Sequence, residues 1–137
     1  MPLTLVTPRH VSEWFYNLRR ESSCHELTTK PFFYQGELHQ WCDESIVYKD
    51  GQGDIKSLAT ISMKGENDRG PTMLALYTLP EYRGRGYGTQ VFEKAVLRLF
   101  ERGAVRVLIN LVSEDGLRRY NALPEAMRSK CQVLDMR

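Results

Sequence analysis

Leu79-Pro80-Glu81-Tyr82-Arg83-Gly84-Arg85-Gly86-Tyr87-Gly88 joins a strand-like run to a helix-like one, and its reading decides the fold. Three glycines at alternate positions lead into the helix, with Arg83 and Arg85 interleaved among them. Glycine lets a backbone approach a ligand closely and take dihedrals that other residues avoid. The first turn of a helix leaves its N–H groups without partners and carries the positive end of the helix dipole. Glycines at that place make an anion site, most naturally for phosphate.

The flanks place this loop inside a βαβ unit. Thr72 to Leu79 is a mostly apolar run and reads as a central strand buried on both faces. Val91, Phe92, Ala95, Val96, Leu99 and Phe100 recur at helical spacing, and Gly103 supplies the stop. Val105 to Val112 reads as the next strand. Strand, helix and strand in so short a span imply parallel strands with a right-handed crossover. Upstream, Ser45–Asp50 and Ile55–Met63 read as antiparallel strands joined at Asp50-Gly51-Gln52-Gly53. Lys64–Pro71 is a polar loop. Leu3–Thr7 reads as a short strand, Thr7 as a helix cap, and Val11, Trp14, Phe15 and Leu18 as one helix face. Glu21–Glu44 gives no clear pattern beyond short helix and loop pieces around Pro31–Tyr34. After Val112, Ser113 caps a short helix and Cys131–Met136 forms a final strand. The expected fold is one α/β (α+β) domain over residues 1–137, a mixed, mostly antiparallel twisted sheet with a central parallel βαβ unit and flanking helices.

Composition narrows the function classes. A chain of 137 residues can bury its own core, and a formal net charge of +2 implies neither a nucleic-acid nor a membrane partner. No apolar run approaches the ~20 residues that span a bilayer. The N-terminus lacks the basic start and apolar core of a signal peptide, and the three cysteines cannot all pair within one chain, so a cytoplasmic setting is expected. Cys24-His25 and His39-x-x-Cys42 bring four metal-type ligands close together, but adjacent Cys24 and His25 diverge, and no metal is expected.

Which phosphate the loop holds follows from its spacing. A Walker loop requires Gly-Lys-Ser/Thr, whereas Gly88 is followed directly by Thr89. A dinucleotide fingerprint requires Gly-x-Gly-x-x-Gly directly after the strand, and the observed spacing is Gly84-x-Gly86-x-Gly88. Arginine-glycine tracts that bind RNA are repeated and disordered, and this one occurs once beside an amphipathic helix. Arg83-x-x-Gly86-x-Gly88, preceded by Leu79-Pro80-Glu81-Tyr82 and following a buried strand, closely resembles the acetyl-CoA signature of the GNAT superfamily of N-acetyltransferases. The resemblance covers roughly Leu74 to Tyr120. Ser113 stands where the family often has Asn, and the family's downstream Gly-Phe is absent.

The resemblance implies that Arg83, Gly84, Arg85, Gly86, Tyr87, Gly88 and Thr89 hold the pyrophosphate of acetyl-CoA. The backbone of Tyr77, Thr78 and Leu79 would run beside the pantetheine, in a gap where the central strand splays from its neighbour. Acyl transfer then requires a neutral amine, a stabilised carbonyl oxygen and an acid for the departing thiolate. A strand-edge N–H near Thr78 would polarise the carbonyl. Tyr120 is the resemblance-based acid, since a phenol keeps its proton at neutral pH. The base is left open among Glu37, His39, Asp43, Glu44 and a water chain. The implied function is acetyl transfer from acetyl-CoA to a small-molecule or peptide primary amine by direct attack on the thioester. The alternatives are a non-catalytic acyl-CoA-binding sensor and a nucleic-acid-binding domain. Related folds usually finish with two strands and this sequence leaves room for one, so an open edge and a homodimer are expected.

Overall fold

The computed structural model describes residues 3–6, 33–34, 37–38, 44–65, 68–111 and 114–135. In chain order the strands are β1 (Leu3–Val6), β2 (Phe33–Tyr34), β3 (Glu37–Leu38), β4 (Glu44–Lys49), β5 (Ile55–Ser62), β6 (Thr72–Thr78), β7 (Val107–Leu111) and β8 (Cys131–Asp135). The helices are α1 (Tyr87–Glu101), α2 (Glu114–Asn121) and α3 (Glu125–Arg128). Six strands form one sheet in the order β1-β4-β5-β6-β7-β8, and β2 pairs with β3 separately. The pairs β1–β4, β4–β5 and β5–β6 are antiparallel, while β6–β7 and β7–β8 are parallel. The expected mixed sheet with a parallel βαβ unit is therefore the observed one. The expected helix over Val11–Leu18 with its Thr7 cap, Ser113, and both cysteine-histidine pairs lie outside the described residues.

Local chemistry explains each turn. Asp50 Oδ1 accepts the N–H groups of Gln52 and Asp54, both at 2.9 Å, and Gly53 at φ 85° completes the β4–β5 turn. Those two bonds, that to Asp54 foremost, hold the Asp50 carboxyl below its ordinary pKa. At the end of α1, Gly103 takes φ 104°, the Ala104 N–H reaches back to Leu99 O and the Gly103 N–H to Phe100 O. This is the Schellman pattern, and it delays the next strand. Val105, expected to open that strand, is 86% exposed, and β7 begins at Val107.

One face of the sheet packs against α1. Ile46, Ala59, Ile61, Met73, Val107 and Ile109 meet Val91, Phe92, Ala95, Val96 and Leu99, all of them buried. Each Val, Leu, Ile, Met or Phe side chain among them contributes about 1.5–3 kcal/mol when buried, so this face rather than helix propensity holds α1 in place. Val47, Leu58 and Leu74 on the opposite side are buried too, as a central sheet requires. At the far end of α1, Glu44 accepts from Arg98 Nε and Nη2 (3.3 and 3.2 Å) and from Arg102 Nη1 (2.8 Å). The helix C-terminus is thereby fastened to the start of β4.

The departure from a regular sheet that bears on the site lies in β6; another register shift falls between Tyr48 and Lys49 in the β4–β5 pair. Ser62 pairs with Thr72 and Ile61 with Met73, but Thr60 pairs with Ala75, so Leu74 is an extra residue, a β-bulge. Pairing of β6 with β7 is confined to Thr72–Leu108 and Met73–Ile109 and ceases at this bulge. Beyond it the two parallel strands diverge. The sequence predicts one final strand after the last helix and leaves its direction open. It is parallel to β7 over five residue pairs, from Val107–Cys131 to Leu111–Asp135, and forms the sheet's outer strand on that side.

Candidate functional site

The gap between β6 and β7 opens beside the N-terminus of α1, and the glycine loop joins the two. Leu79 N–H donates to Lys56 O at 3.0 Å, which fixes the phase of the β5–β6 ladder. By the alternation of an antiparallel pair, Tyr77 exchanges main-chain bonds with β5, while the main-chain groups of Leu76 and Thr78 turn toward the β7 side. Two side chains meet carbonyls on that side. Asn110 Nδ2 reaches Leu74 O at 3.4 Å, across the point where strand pairing ends. Arg83 Nε donates to Thr78 O at 3.0 Å, with the guanidinium carbon 5.5 Å from the centre of the Tyr77 ring. Arg83 thus ties the loop to the last residue of β6.

A short 3-10 turn over Pro80–Tyr82 carries the chain out of β6, closed by Tyr82 N–H to Leu79 O at 2.9 Å. Gly84 (φ 81°) and Gly86 (φ 84°) then both adopt left-handed backbone, which only glycine takes without strain. Gly86 is the N-cap of α1, and the first helical bond runs from Gln90 N–H to Gly86 O. The N–H groups of Gly86, Tyr87, Gly88 and Thr89 therefore have no intrahelical acceptor. No acidic residue lies in that first turn, and no side chain caps it. The field there favours an anion.

Gly88 is glycine for a different reason. A Cβ at this position would lie 2.8 Å from Arg119 Cζ, 2.9 Å from Thr78 Oγ1 and 3.0 Å from Arg119 Nη2. The first turn of α1 thus rests on the end of β6 with no room for a side chain. Thr78 Oγ1 is held in turn by Ser57 Oγ at 2.7 Å, and Arg119 Nη1 donates to Thr89 Oγ1 at 2.8 Å.

Around the loop lies an aromatic and cationic wall. Tyr87 stacks on Tyr48, with ring centres 4.2 Å apart, and tilts against Tyr82. Lys56 Nζ and Arg85 Cζ lie 4.4 and 4.9 Å from the centre of the Tyr82 ring. Burial works against the charge on Lys56, but the Tyr82 hydroxyl and the Asp50 and Asp54 carboxylates outweigh it and hold its pKa above the ordinary value.

The structure thus brings together Tyr77, Thr78, Leu79 and the whole run from Arg83 to Thr89. Tyr120 sits on α2, half-buried and packed against the core that α1 shares with the sheet. Glu44 does not join them. It stands at the other end of α1, held by two guanidinium groups, and Arg98 lies twelve residues beyond Gly86, roughly 18 Å along the axis. The other base candidates, His39, Asp43 and the Glu37 side chain, lie outside the described residues. Asn110 and Arg119 escaped the sequence reading. Asn110 is an isolated polar residue in an apolar strand, and Arg119 adjoins Tyr120, the only sequence cues either offers. No group of metal-binding side chains occurs among the described residues.

The sheet splayed at a bulge thus opens onto a glycine-lined helix start whose field favours an anion. Residues 11–122 match the family model of the acetyltransferase (GNAT) family, and the chain belongs to that family. Among solved structures it is similar to a chimera of spermidine N-acetyltransferase SpeG from Vibrio cholerae and hSSAT, at 18% identity and a TM-score of 0.59, covering 88% of this chain and 78% of that one. It is also similar to aminoglycoside N-acetyltransferase AAC(6')-Iy in complex with CoA, at 15% identity and a TM-score of 0.55, covering 98% of this chain and 97% of the other. A shorter alignment with nourseothricin acetyltransferase reaches 30% identity over 47% of this chain and 37% of that one, with a TM-score of 0.39. No curated relative matches the chain.

Proposed function

We propose that this acetyltransferase moves an acetyl group from acetyl-CoA to a primary amine by direct attack of the amine on the thioester. The observation that carries the reading is the divergence of β6 from β7 after Met73, beside the glycine loop that begins α1. The residues present fit the donor. The N–H groups of Gly86 to Thr89 suit a diphosphate, and the main-chain groups of Leu76 and the Thr78 N–H suit an amide-bearing arm in the gap. The donor, when bound, supplies an acyl group activated as a thioester.

The chain's own residues account for the rest. Arg83 fixes the loop on Thr78, and Arg85 adds positive charge beside the phosphates. The Thr78 N–H, turned to the β7 side, is assigned to the carbonyl oxygen as charge develops there. Tyr120 holds a proton at Oη for the departing sulfur. Glu44, neutralised by Arg98 and Arg102, is not the base. The acceptor is a small-molecule or peptide amine, and the setting is cytoplasmic. No helix among the described residues is long and apolar enough to cross a membrane. We further propose a homodimer in which β8, the outer strand of the sheet, meets a second copy; a monomeric mass by light scattering at micromolar concentration removes it.

Thermal unfolding with acetyl-CoA, NAD or ATP tests the donor. A ligand at about 100 times its dissociation constant stabilises by about 2.7 kcal/mol, or roughly 8 °C in this size range. A shift with acetyl-CoA alone, followed by thiol release when an amine panel is added, is the expected result. A shift only with NAD or ATP overturns the reading.

A further inference from the structure

We infer that Arg119 is a specificity-determining residue for the donor: its guanidinium contacts the diphosphate at the first turn of α1 and couples that contact to α2, the helix that carries Tyr120. The inference rests on the acetyl-CoA reading above.

Placement is the first argument. Arg119 Nη1 donates to Thr89 Oγ1 at 2.8 Å, and its Cζ and Nη2 lie 2.8 and 3.0 Å from the position a Gly88 side chain would take. The guanidinium therefore lies on the bare backbone of the same turn whose N–H groups have no helical acceptor. Electrostatics is the second argument. An anion at that turn is acted on by the N–H groups and by the guanidinium together, because the helix dipole presents its positive end there. A planar fork of donors also matches two oxygens of a diphosphate better than a point charge does. The two arginines of the glycine loop are placed differently. Arg83 reaches Thr78 O through Nε, and Arg85 lies over Tyr82, so Arg119 is the one seated against Gly88 and Thr89.

Connectivity is the third argument. Arg119 and Tyr120 are adjacent on an eight-residue helix, and Tyr120 packs against the core. An anion that holds Arg119 also holds α2 in register with α1. Arg119 then serves as a phosphate contact and as a positioning residue for Tyr120.

The rival explanation is a plain tether between α2 and α1. The ligand series with Arg119→Gln separates the two, because a lost phosphate contact weakens CoA and spares pantetheine, whereas a lost tether weakens both. Binding is measured on the full chain with CoA, with pantetheine, which lacks the diphosphate, and with inorganic pyrophosphate. We expect R119Q to weaken CoA roughly 10- to 100-fold, the range spanned by a charge-assisted hydrogen bond. Pantetheine should bind within twofold of wild type, and the stabilisation by pyrophosphate should disappear. Arg119→Lys should recover part of the CoA affinity, and the preference in kcat/KM for acetyl-CoA over S-acetylpantetheine should fall in parallel with binding. CoA affinity within twofold of wild type in R119Q overturns the proposal while leaving the acetyltransferase reading intact. Equal losses for CoA and pantetheine also overturn it, since they mark a structural tether. Wild-type protein that binds no CoA removes the underlying reading, and the proposal with it.

Discussion

Gly88→Ala tests the packing of the loop most directly. The added methyl would lie 2.8 Å from Arg119 Cζ and 2.9 Å from Thr78 Oγ1, both closer than real contacts allow. The two neighbours differ in how they yield. Arg119 is the far end of a flexible side chain and can swing away, giving up its bond to Thr89. Thr78 is 6% exposed, on a strand, with its hydroxyl 2.7 Å from that of Ser57, so it must rotate and break that bond. Losing a buried hydroxyl pair and leaving one member unsatisfied costs about 1–3 kcal/mol, while alanine in a helix returns up to about 1 kcal/mol. The expected net loss is about 1.5 kcal/mol, a midpoint lower by roughly 5–7 °C in a domain of this size. The mechanism is checked by a double-mutant cycle with Thr78→Ala, read by urea unfolding. Removing Oγ1 relieves the harder of the two clashes, so G88A should cost at least ~1 kcal/mol less in the T78A background than in wild type. Additivity within about 0.5 kcal/mol would refute the reasoning, because residues that truly collide must couple.

Four further outcomes follow from the same geometry. Gly86→Ala has open space for its methyl but must hold φ 84°, so it should cost about 1–2 kcal/mol from backbone strain alone, with Gly86→Asn milder, as measured by urea unfolding. Asn110→Leu keeps bulk but removes the donor to Leu74 O; a loss of about 1 kcal/mol is expected, with hydrogen exchange accelerating first at Leu74–Leu76. Glu44→Ala removes a fork to Arg98 and a bond to Arg102 at a site 21% exposed; about 1–2 kcal/mol should be lost in thermal unfolding, with CoA affinity unchanged. Tyr120→Phe should leave the CoA dissociation constant unchanged and lower kcat by roughly 100-fold in a thiol-release assay, and an unchanged kcat would remove Tyr120 as the acid.

The legible parts of this fold are those whose signal is local. Every apolar position expected on the α1 face from Val91 to Leu99 is buried, and Gly103 ends the helix through a left-handed turn, as its place after the apolar repeat predicts. Asp50 and Gly53 likewise announce the β4–β5 turn, because an Asx side chain and a positive-φ glycine act within four residues. Val105 misled for the same local reason: a β-branched residue in an apolar run reads as strand, but the Gly103 turn delays the strand. The interactions that escaped notice act across long sequence separations. Asn110 bonds a carbonyl 36 positions away, Arg119 a hydroxyl 30 away, and Glu44 two arginines 54 and 58 away. No period or spacing encodes such partners. Glu44 looked like a candidate base because its acidity was visible in the sequence and its two guanidinium partners were not.

The bulge at Leu74 shows why one unreadable residue can decide a site. Thr72 to Leu79 is apolar nearly throughout, so its sequence has no alternation from which a face could be assigned. With a regular ladder extended from Ile61–Met73, Tyr77 rather than Thr78 would oppose Ser57. The extra residue shifts every later side chain to the other face. It thereby places the Thr78 hydroxyl on the α1 side, where it meets both Ser57 and the bare backbone of Gly88. The same shift coincides with the end of β6–β7 pairing, so the main-chain groups of Leu76 and Thr78 turn into the opening instead of across to a neighbouring strand. The seat for α1 and the gap beside it are therefore one consequence of a single inserted residue. This also explains why the glycine loop needs no side-chain cap: β6 delivers the helix start to the gap, and the first turn is left to its own N–H groups.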